Sequence, residues 1–310
     1  MKLLSIVIPC FNEEEAIPFF YKEMSKTLDE LKKERPELSV ELIFVDDGSS
    51  DKTLSLIREY GEKDDRVRYI SFSRNFGKES ALYAGFENAK GDYVGCMDVD
   101  LQDPPSLLPD MLKAVCDEGY DSVATRRVTR KGEPAIRSFF ARRFYRLMDR
   151  ICKTEIVDGA RDYRIMTRQM TDAVLSMGDY SRFTKGIYGW VGFKTKWLEF
   201  ENIERVAGET KWSFWGLLIY AIEGIMAFST VPLEIIAWIG GGLSFISFIF
   251  TILSAVLLYI GEWEYQPLLG GVIVFFASLN ILAVGIASQY LSKTYLETKN
   301  RPLYIVKEQS

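Results

Sequence analysis

The sequence predicts an α/β domain, in which helices cover a mainly parallel sheet, followed by a C-terminal hairpin of two transmembrane helices. Short β-rich runs alternate with helical patterns from residue 1 to about residue 125, and this order is typical of parallel sheets. Two runs without any charged residue follow, at residues 235–260 and 267–291. Each run exceeds the ~20 residues that a helix needs to cross a hydrocarbon core.

Composition excludes several classes of protein. The net charge of the 310-residue chain is −5, so no general positive field is present to attract nucleic acid. Histidine is absent, which excludes Ser-His-Asp hydrolases and histidine-ligated metalloenzymes. The four cysteines lie far apart without a Cys-x-x-Cys pair, so we predict reduced thiols rather than disulfides or a zinc site. The apolar start of the chain is interrupted at Pro9 and is too short for an export signal.

The predicted strands bring polar residues to one edge of the sheet. The strands are residues 3–8, 40–45, 67–72 and 93–97, and the helical patterns are residues 13–33, 52–62, 79–89 and 105–117. In sheets of this kind, ligands bind outside the carboxyl ends of the strands. Polar clusters fall at those ends, at residues 12–15, 46–51, 73–78 and 98–103. The sequence therefore predicts one binding site built from four loops.

A basic segment follows the fourth helical pattern. Between residues 126 and 153 there are ten Lys or Arg residues and two acids. Apolar residues recur there at three- and four-residue spacing, which predicts an amphipathic helix over residues 135–152. Such a helix suits a membrane surface with anionic head groups. The alternative is a helix that packs on the domain and keeps its basic face in water.

The C-terminal part is predicted to anchor the chain in a membrane. Residues 212–231 are apolar and aromatic but include Glu223, which predicts a juxtamembrane interfacial helix, and residues 232–292 contain the two spans. Basic residues flank the spans, whereas the short link between them is acidic. The positive-inside bias predicts a multi-pass protein of the inner (plasma) membrane, in which residues 1–211, the tail 293–310 and both termini are cytoplasmic.

Two further readings of the spans stay open. Glycines in both spans permit close contact between helices, so a homo-oligomer is a candidate assembly. A buried pair of helices in a soluble protein is the alternative to a membrane hairpin.

Asp98, Asp100 and Gln102 follow an apolar strand at alternate positions. Alternate residues of an extended segment point the same way, so the three side chains can offer oxygen atoms to one point in space. Hard oxygen ligands of this kind suit Mg²⁺ or Mn²⁺, usually shared with the phosphates of a nucleotide. Loop solvation or capping of the next helix is the alternative explanation for acids at these positions.

The loops after the first two strands supply further polar groups. The first strand ends in the run 9–13 (PCFNE), and the second in the run 45–49 (VDDGS). Their acids are placed to hydrogen-bond a base and a ribose, and Gly48 permits a tight turn. The acids of the second run could instead form a turn and an N-cap before Lys52.

The sequence contains an ordered set of motifs along its whole length. The first are IVIPCFNE at 6–13, VDDGS at 45–49, SRNFGK at 73–78 and DVDLQDPP at 98–105. Further motifs are RVTRKGE at 127–133, DYRIM at 162–166 and RVAGETKW at 205–212. This set resembles the family 2 inverting glycosyltransferases of the GT-A fold, the fold of nucleotide-diphospho-sugar transferases. More narrowly, the chain resembles the polyprenyl-phosphate glycosyltransferases: dolichol-phosphate mannose synthases and bacterial bactoprenol (undecaprenyl-phosphate) glucosyltransferases. The similarity covers essentially the whole chain.

The resemblance implies a role for each motif residue. The nucleotide, uridine or guanosine, would be bound by Pro9, Phe11, Glu13, Asp46, Asp47, Lys78 and Asp98. A divalent ion, Mg²⁺ or Mn²⁺, would be bound with the diphosphate by Asp98, Asp100 and Gln102. The catalytic carboxylates would be Asp162 and Asp100, and Tyr163 stands where the family usually has phenylalanine. The acceptor phosphate would be bound by Arg127, Arg130, Arg164, Arg205 and Lys211.

The absence of histidine fits a phosphate acceptor. A phosphate monoester has a second pKa of about 6 and is largely dianionic at neutral pH, so its attack on a sugar needs no strong general base. The expected function is inverting transfer of a hexose, first of all glucose from UDP-glucose, to undecaprenyl phosphate at the cytoplasmic membrane face. The product would be a lipid-linked donor for cell-surface glycosylation.

Three alternatives to this function remain. A processive polysaccharide synthase would normally carry a Gln-x-x-Arg-Trp motif, which the sequence lacks. A transferase could use another nucleotide sugar or a non-lipid acceptor such as a protein or a surface glycan. The chain could also be a non-catalytic membrane scaffold that retains the fold, although the intact acidic motifs speak against this.

Overall fold

The computed structural model describes residues 2–128, 157, 159–180, 182–201 and 266–310, together with isolated positions between 236 and 260. The chain forms two compact units, one of Met1–Ala221 with Pro302–Ser310 and one of Ile222–Arg301. The predicted helices at 135–152 and 212–231 lie outside the described residues, as does most of the first predicted span.

Within the described part of the chain, an eight-stranded mixed sheet forms the centre of the first unit. Its strands are β1 (Lys2–Cys10), β2 (Leu38–Asp46), β3 (Val67–Phe72), β4 (Tyr93–Cys96), β5 (Ser122–Arg127), β6 (Ala160–Thr167), β7 (Thr195–Phe200) and β8 (Val306–Gln309). They lie in the order β7-β5-β6-β4-β1-β2-β3-β8. The strands β4, β1, β2 and β3 are parallel. Strand β6 is antiparallel to β4 and β5, β7 is parallel to β5, and β8 is antiparallel to β3.

The described helices of the first unit pack on both faces of this sheet. They are α1 (Ile17–Glu34), α2 (Thr53–Lys63), α3 (Lys78–Asn88), α4 (Leu108–Cys116), α5 (Arg168–Ser176) and α6 (Thr184–Trp190). Ile6 on one face of β1 belongs to a core cluster with Phe20 of α1 and Met111 of α4. Val7 on the other face lies against α3, where a Cβ at Gly85 would come within 2.1 Å of it. Burial on both faces explains why β1 reads as a continuous apolar run.

The predicted alternation of strands and helices up to residue 117 is confirmed by β1–β4 and α1–α4. The first helix begins only at Ile17, because the backbone of Glu13 first forms a turn in which Ala16 N donates to Glu13 O at 3.0 Å. Pro18 then lies in the first helical turn, where its missing N–H is not needed. No sequence pattern indicates β5, β6 or β7, and the antiparallel strands β6 and β8 make the sheet mixed rather than mainly parallel.

The two ends of the last described segment belong to different units. A long helix, α7 (Gln266–Thr298), lies in the second unit, whereas β8 belongs to the first. Residues 293–310 are predicted to form a tail, yet residues 306–309 pair with β3. Three of the four residues of β8 are polar, so the strand carries no local signal, and the unpaired edge of β3 supplies the reason for it to form.

One finding contradicts the membrane prediction. Among the residues that the structure describes, none of the helices combines the length and the hydrophobicity that a bilayer crossing requires. The predicted localisation, a multi-pass protein of the inner (plasma) membrane with a cytoplasmic domain and cytoplasmic termini, is therefore wrong, and the part of the chain that the structure describes contains no such hairpin. That prediction counted residues without charge. Such a run meets only one condition for a span, because the same residues must also form one sufficiently apolar helix.

Candidate active site

The carboxyl ends of β1, β2 and β4 meet the start of β6 at one edge of the sheet. Cys10 at the end of β1 pairs with Asp46 at the end of β2, and Cys96 at the end of β4 pairs with Arg164 of β6. Because β6 runs antiparallel to β4, Asp162 near its start lies beside the loop that follows β4. The sheet thereby brings together predicted site residues that are distant in sequence.

Lys78, Asp98, Asp162 and Lys185 form one group, called here the lysine-bridged cluster. The Lys78 ammonium lies 2.6 Å from Asp98 Oδ1 and 2.6 Å from Asp162 Oδ2. Lys185, in the first turn of α6, places its ammonium 3.5 Å from Asp162 Oδ1. The group joins the start of α3, the loop after β4, β6 and α6. Two cations therefore flank the carboxylate that the resemblance marks as catalytic.

The cluster keeps the Asp162 carboxyl ionised. Burial by itself raises the pKa of Asp162, but the charges of Lys185 and Lys78 outweigh burial and hold that pKa well below its usual range. Burial lowers the pKa of Lys78, and the charges of Asp162 and Asp98 reverse this effect, so that the net pKa is raised. A carboxylate with such a low pKa is a poor acceptor for a proton at neutral pH.

Arg161 joins the loop after β4 to β6. Its guanidinium donates to the two carboxylate oxygens of Asp103 at 2.8 and 3.2 Å, and to Gln102 Oε1 at 3.5 Å. Asp103 is fully buried, and burial raises its pKa to about 6 although the charge of Arg161 opposes the shift. Two parallel hydrogen bonds between a guanidinium and a carboxylate restrict both the orientation of the two groups and the distance between them. It therefore holds the loop 98–103 in place beside Asp162.

Asp46 and Asp47, called here the acid pair, lie at the end of β2. Both side chains are buried, with 1% and 4% of their surface exposed. Ser49 N donates to Asp46 Oδ1 at 3.1 Å, and Ser71 Oγ donates to Asp46 Oδ2 at 2.8 Å. Both oxygens of Asp46 are thus engaged by donors of the surrounding loop and of β3.

Asp47 is held by the loop that follows β3. Phe76 N and Gly77 N donate to its two carboxylate oxygens at 2.6 and 2.9 Å. Burial raises the pKa of Asp47 to about 6, against the effect of these two amides. The two loops approach so closely that a Cβ at Gly48, which has a φ of +70°, would lie 2.4 Å from the carbonyl carbon of Arg74. Only glycine fits this turn.

The loop after β1 is tied to the loop after β2. Asn12 N donates to Ser49 Oγ at 2.9 Å, and Glu13 N donates to Thr53 Oγ1 at 2.8 Å. Asn12 has a φ of 52°, a conformation that asparagine adopts more readily than most residues. The partly exposed site residues predicted at the end of β1 and in this loop therefore lie at the same edge as the acid pair, namely Pro9, Phe11 and Glu13.

Comparison with known proteins identifies the family. The family model for Glycosyl transferase family 2 matches residues 5–175. The chain belongs to glycosyl transferase family 2. A prophage bactoprenol glucosyl transferase homolog of Escherichia coli (strain K12) is 39% identical over 98% of this chain and 98% of its own length. The SfII prophage-derived bactoprenol glucosyl transferase of Shigella flexneri is 38% identical over 98% of this chain and 97% of its own. The chain is therefore a glycosyltransferase, and the predicted resemblance is confirmed.

Solved structures show a weaker similarity. Glucosyl-3-phosphoglycerate synthase from Mycobacterium tuberculosis, in complex with Mn²⁺ and UDP-glucose, has a TM-score of 0.48 and 19% identity to this chain. The match covers 73% of this chain and 77% of that one. A similarity of this size supports no statement about the ligands of the present glycosyltransferase, whose GT-A-like fold rests on the family match and on the sheet.

The predicted metal ligands of this glycosyltransferase lie in a turn. β4 ends at Cys96, Leu101 has a φ of 55°, and Gln102 N donates to Asp100 Oδ1 at 3.2 Å. The extended geometry assumed for Asp98, Asp100 and Gln102 therefore does not persist. Among the described residues, no three Asp, Glu or Cys side chains surround a common metal position. Two carboxylates and an amide oxygen still suit Mg²⁺ or Mn²⁺, because such ions take their other ligands from water and substrate phosphates.

Two of the five residues predicted for the acceptor phosphate are described, whereas the others lie outside the described residues: Arg130, Arg205 and Lys211. Arg164 is 3% exposed, and its guanidinium carbon lies 3.6 Å from the centre of the Tyr188 ring. Burial lowers its pKa. Arg127 lies at the end of β5, where its N donates to Gly159 O at 3.1 Å. Acceptor binding stays a prediction for all five, and the guanidinium of Arg164 faces an aromatic ring rather than an open surface.

Two charged residues of the site escape sequence reasoning, Arg161 and Lys185. Thr184 N donates to Glu79 Oε2 at 3.0 Å, and the Thr184 hydroxyl contacts the same oxygen. This contact anchors the start of α6 on α3 and so positions Lys185 beside Asp162. Arg161 precedes Asp162 directly, so adjacency to a motif could have indicated it. Nothing in the sequence around Lys185 marks that residue.

Proposed function

We propose that this glycosyltransferase transfers a hexose with inversion to undecaprenyl phosphate, with glucose from UDP-glucose as the first donor to test. The product is a lipid-linked sugar that serves as a donor for cell-surface glycosylation. The observation that carries the proposal is the lysine-bridged cluster beside the acid pair, which offers one edge of the sheet to an anionic donor and an anionic acceptor. The names of the full-length relatives, bactoprenol glucosyl transferases, support this choice of sugar and acceptor.

In this proposal the acid pair and the loop after β1 bind the nucleoside. Asp46 and Asp47 accept hydrogen bonds from the base and the ribose, and their own donors keep them rigid before the nucleotide arrives. This pre-organisation limits the entropy that binding costs. The residues that share this edge complete the nucleoside site, namely Pro9, Phe11 and Glu13.

The diphosphate binds next to the acid pair. Asp98, Asp100 and Gln102 would hold Mg²⁺ or Mn²⁺, which would neutralise negative charge on the departing nucleoside diphosphate. Lys78 lies between Asp98 and Asp162 and adds a positive charge from the protein itself. Arg161 keeps the loop 98–103 in register with β6, so that these groups keep their relative positions during turnover.

Transfer is an in-line displacement at the anomeric carbon. An oxygen of the acceptor phosphate forms a bond to that carbon as the bond to the diphosphate oxygen breaks on the opposite face, and the nucleoside diphosphate leaves with the electron pair. A dianionic phosphate needs no proton removed, which agrees with the low pKa of Asp162. Asp162 instead stabilises positive charge on the sugar ring and orients the two lysines.

Binding two anions side by side requires cations on the acceptor side. Lys185 contributes one, and basic residues assigned by resemblance contribute the rest: Arg127, Arg130, Arg205 and Lys211. Charge-assisted hydrogen bonds from such groups offset the repulsion and fix the angle of attack.

The proposal is tested with the purified full-length protein and undecaprenyl phosphate in detergent micelles. One radiolabelled nucleotide sugar is added at a time, UDP-glucose, UDP-N-acetylglucosamine or GDP-mannose, with Mg²⁺ or Mn²⁺. We expect label in the organic phase and release of UDP with UDP-glucose, and the loss of both when divalent ions are chelated.

Each other outcome overturns one part of the proposal. Label that enters the organic phase only from another nucleotide sugar would refute glucose. Release of UDP with all label in the aqueous phase would show transfer of the sugar to water and would refute the lipid acceptor. Full activity after chelation would refute the role given to Asp98, Asp100 and Gln102 as metal ligands.

A further inference from the structure

The C-terminal strand contacts the chain where β3 passes into the loop 73–77. Ile70 lies opposite Gln309, and Phe72 opposite Val306. Directly after β3, Ser73 N donates to Ile305 O at 3.0 Å. The segment 302–310 therefore holds the first residue of that loop by a backbone hydrogen bond.

Tyr304 adds a side-chain contact at the same place. Its ring stacks on the ring of Phe72, with 4.9 Å between centroids and 22° between planes. Phe72 meets Phe76 edge-on, at 5.7 Å and 90°. The Tyr304 hydroxyl donates to Glu87 Oε2 at 2.5 Å, which fixes the ring against α3. Aromatic pairs of these geometries stabilise a structure beyond the area that they bury.

Phe76, the third of these three aromatic residues, also contacts the acid pair. Phe76 N donates to Asp47 at 2.6 Å, and Gly77 N donates to the same carboxylate at 2.9 Å. The residue after Gly77 is Lys78 of the lysine-bridged cluster. Contacts of Tyr304 with Phe72, and of Phe72 with Phe76, thus lead from the C-terminal segment to both groups of the active site.

We infer that the segment 302–310 is a positioning element of the nucleotide-sugar site, and that Tyr304 sets donor affinity through Phe72 and Phe76. The inference rests on the proposed function, since it takes Asp47 as a nucleotide-binding residue. Tyr304 does not itself contact the donor. It restricts the loop 73–77, so that the two amides of that loop meet Asp47 in one fixed geometry.

Covering a sheet edge is the simpler role for β8, because an unpaired edge strand exposes backbone groups. That role needs the backbone of the segment but no particular side chain. It predicts a loss of stability without a specific loss of donor binding. The two roles therefore differ in what the Tyr304 ring does.

The test uses the full-length chain with Tyr304→Ala and the conservative Tyr304→Phe. We expect Tyr304→Ala to raise the donor KM about five- to tenfold, because this factor corresponds to the free energy of one aromatic pair. The kcat should stay within about twofold of the wild-type value. Tyr304→Phe keeps the stacked ring and should restore the wild-type KM within about twofold. Equilibrium binding of UDP-glucose, measured without acceptor, should weaken by the same factor as KM rises.

Tyr60→Ala is the matched control, because Tyr60 also stacks on a second ring, that of Tyr21, at 4.1 Å and 25°. Its contact joins α1 to α2 and does not involve the loop 73–77. We expect a comparable fall in melting temperature and an unchanged donor KM. If Tyr304→Ala does not fold, Tyr304→Leu keeps an apolar side chain there without a ring and should still raise KM.

Three results separate the inference from the proposed function. Wild-type donor affinity in the Tyr304 variants, or an equal rise of KM in Tyr60→Ala, would overturn the positioning role and leave the function intact. Weaker UDP-glucose binding in Tyr304→Ala without sugar transfer to lipid by the wild type would support the positioning role and refute the acceptor. A wild-type chain that binds no UDP-glucose would refute both.

Discussion

The acid pair and the lysine-bridged cluster lie at the same edge of the sheet, yet their carboxylates are held in opposite ways. Asp47 accepts hydrogen bonds from two backbone amides, whereas Asp162 faces two lysine ammonium groups. Amides offer partial charge in fixed directions, and lysines offer full charge on flexible side chains. Aspartate is therefore held rigidly by backbone amides in the acid pair, whereas in the lysine-bridged cluster it is surrounded by charged side chains that can move.

The pKa values of the two carboxyls follow this difference. Burial dominates at Asp47 and raises its pKa to about 6, because two amides compensate only part of the lost hydration. At Asp162 the effect of burial is outweighed by Lys185 and Lys78, and the pKa is lowered. The Asp47 carboxyl can therefore take up a proton near neutral pH, whereas the Asp162 carboxyl stays charged.

The largest effect should come from neutralising the carboxylate between the two lysines. We expect Asp162→Asn to lower kcat about a hundredfold or more, because charge that stabilises the transition state is lost. The affinity for UDP-glucose should change less than about threefold, since the acid pair is intact. Initial rates and equilibrium binding separate these two quantities.

Asp172→Asn is the matched control for this change. Asp172 is an exposed carboxylate on α5, 3.6 Å from Arg168, and its neutralisation should leave kcat unchanged. If Asp162→Asn also keeps the wild-type kcat, the charge of Asp162 has no part in turnover, and the contrast between the two carboxylate groups loses its functional meaning.

The next effect concerns the cation of the cluster. Lys78→Gln leaves Asp98 and Asp162 facing each other without the ammonium between them, and we expect kcat/KM to fall about ten- to fiftyfold. Lys78→Arg keeps the charge and should recover part of that loss. The control is Lys63→Gln, since Lys63 is an exposed lysine paired with Glu59 on α2. If Lys78→Gln has the same kcat/KM as the wild type, the contacts of Lys78 with Asp98 and Asp162 have no role in turnover.

A smaller effect should appear when pH is varied. Below a pKa of about 6 the Asp47 carboxyl is protonated, and it can no longer accept both amide hydrogen bonds and one from the donor. Each unit of pH below the pKa lowers the ionised fraction about tenfold, so binding of UDP-glucose should weaken about tenfold from pH 7 to pH 5. Calorimetry at several pH values measures it, without acceptor, because UDP-glucose has no ionisable phosphate proton in this range.

Asp47→Asn provides the check on that assignment. The variant cannot titrate at this position, so its weaker binding should not change between the same two pH values. If the full pH dependence persists in Asp47→Asn, it belongs to another group, such as Asp103 with its pKa of about 6, and the role assigned to the Asp47 charge is refuted.

The smallest effect should come from one donor of the acid pair. Ser71→Ala removes the hydroxyl that donates to Asp46 at 2.8 Å in a fully buried position. We expect the free energy of unfolding to fall by about 1–2 kcal/mol and donor affinity to weaken about threefold. Ser55→Ala is the control, because the Ser55 hydroxyl donates to Lys52 O on an exposed face of α2. Denaturant titration and UDP-glucose binding that match wild type would show that the acid pair does not depend on its rigid donors.

The acid pair was the more predictable half of this comparison. The run VDDGS combines an apolar strand, two acids and a glycine at consecutive positions, so local sequence already indicates a strand end and a tight turn. The structure adds why the glycine is needed, since the carbonyl carbon of Arg74 would lie 2.4 Å from a Cβ at Gly48. It also adds the source of the donors, the loop 73–77.

The lysine-bridged cluster was predictable only in part. Lys78, Asp98 and Asp162 lie in motifs, and the resemblance assigns Lys78 and Asp98 to the nucleotide and Asp162 to catalysis. The extended geometry expected for residues 98–102 gives way to a turn with Leu101 at a φ of 55°. Lys185 enters because Glu79 anchors the start of α6, and no spacing rule connects those two segments.

By itself the sequence determined the order of strands and helices up to residue 117, the loops that carry the acids, and the family, because periodicity and motifs are local properties of a chain. Only the tertiary structure decided that Lys78 bridges Asp98 and Asp162, that Arg164 is buried against Tyr188, and that residues 306–309 complete the sheet. Those contacts join segments far apart in the chain. These contacts form because the tertiary fold buries distant segments against each other, and the local sequence pattern does not specify which segments meet.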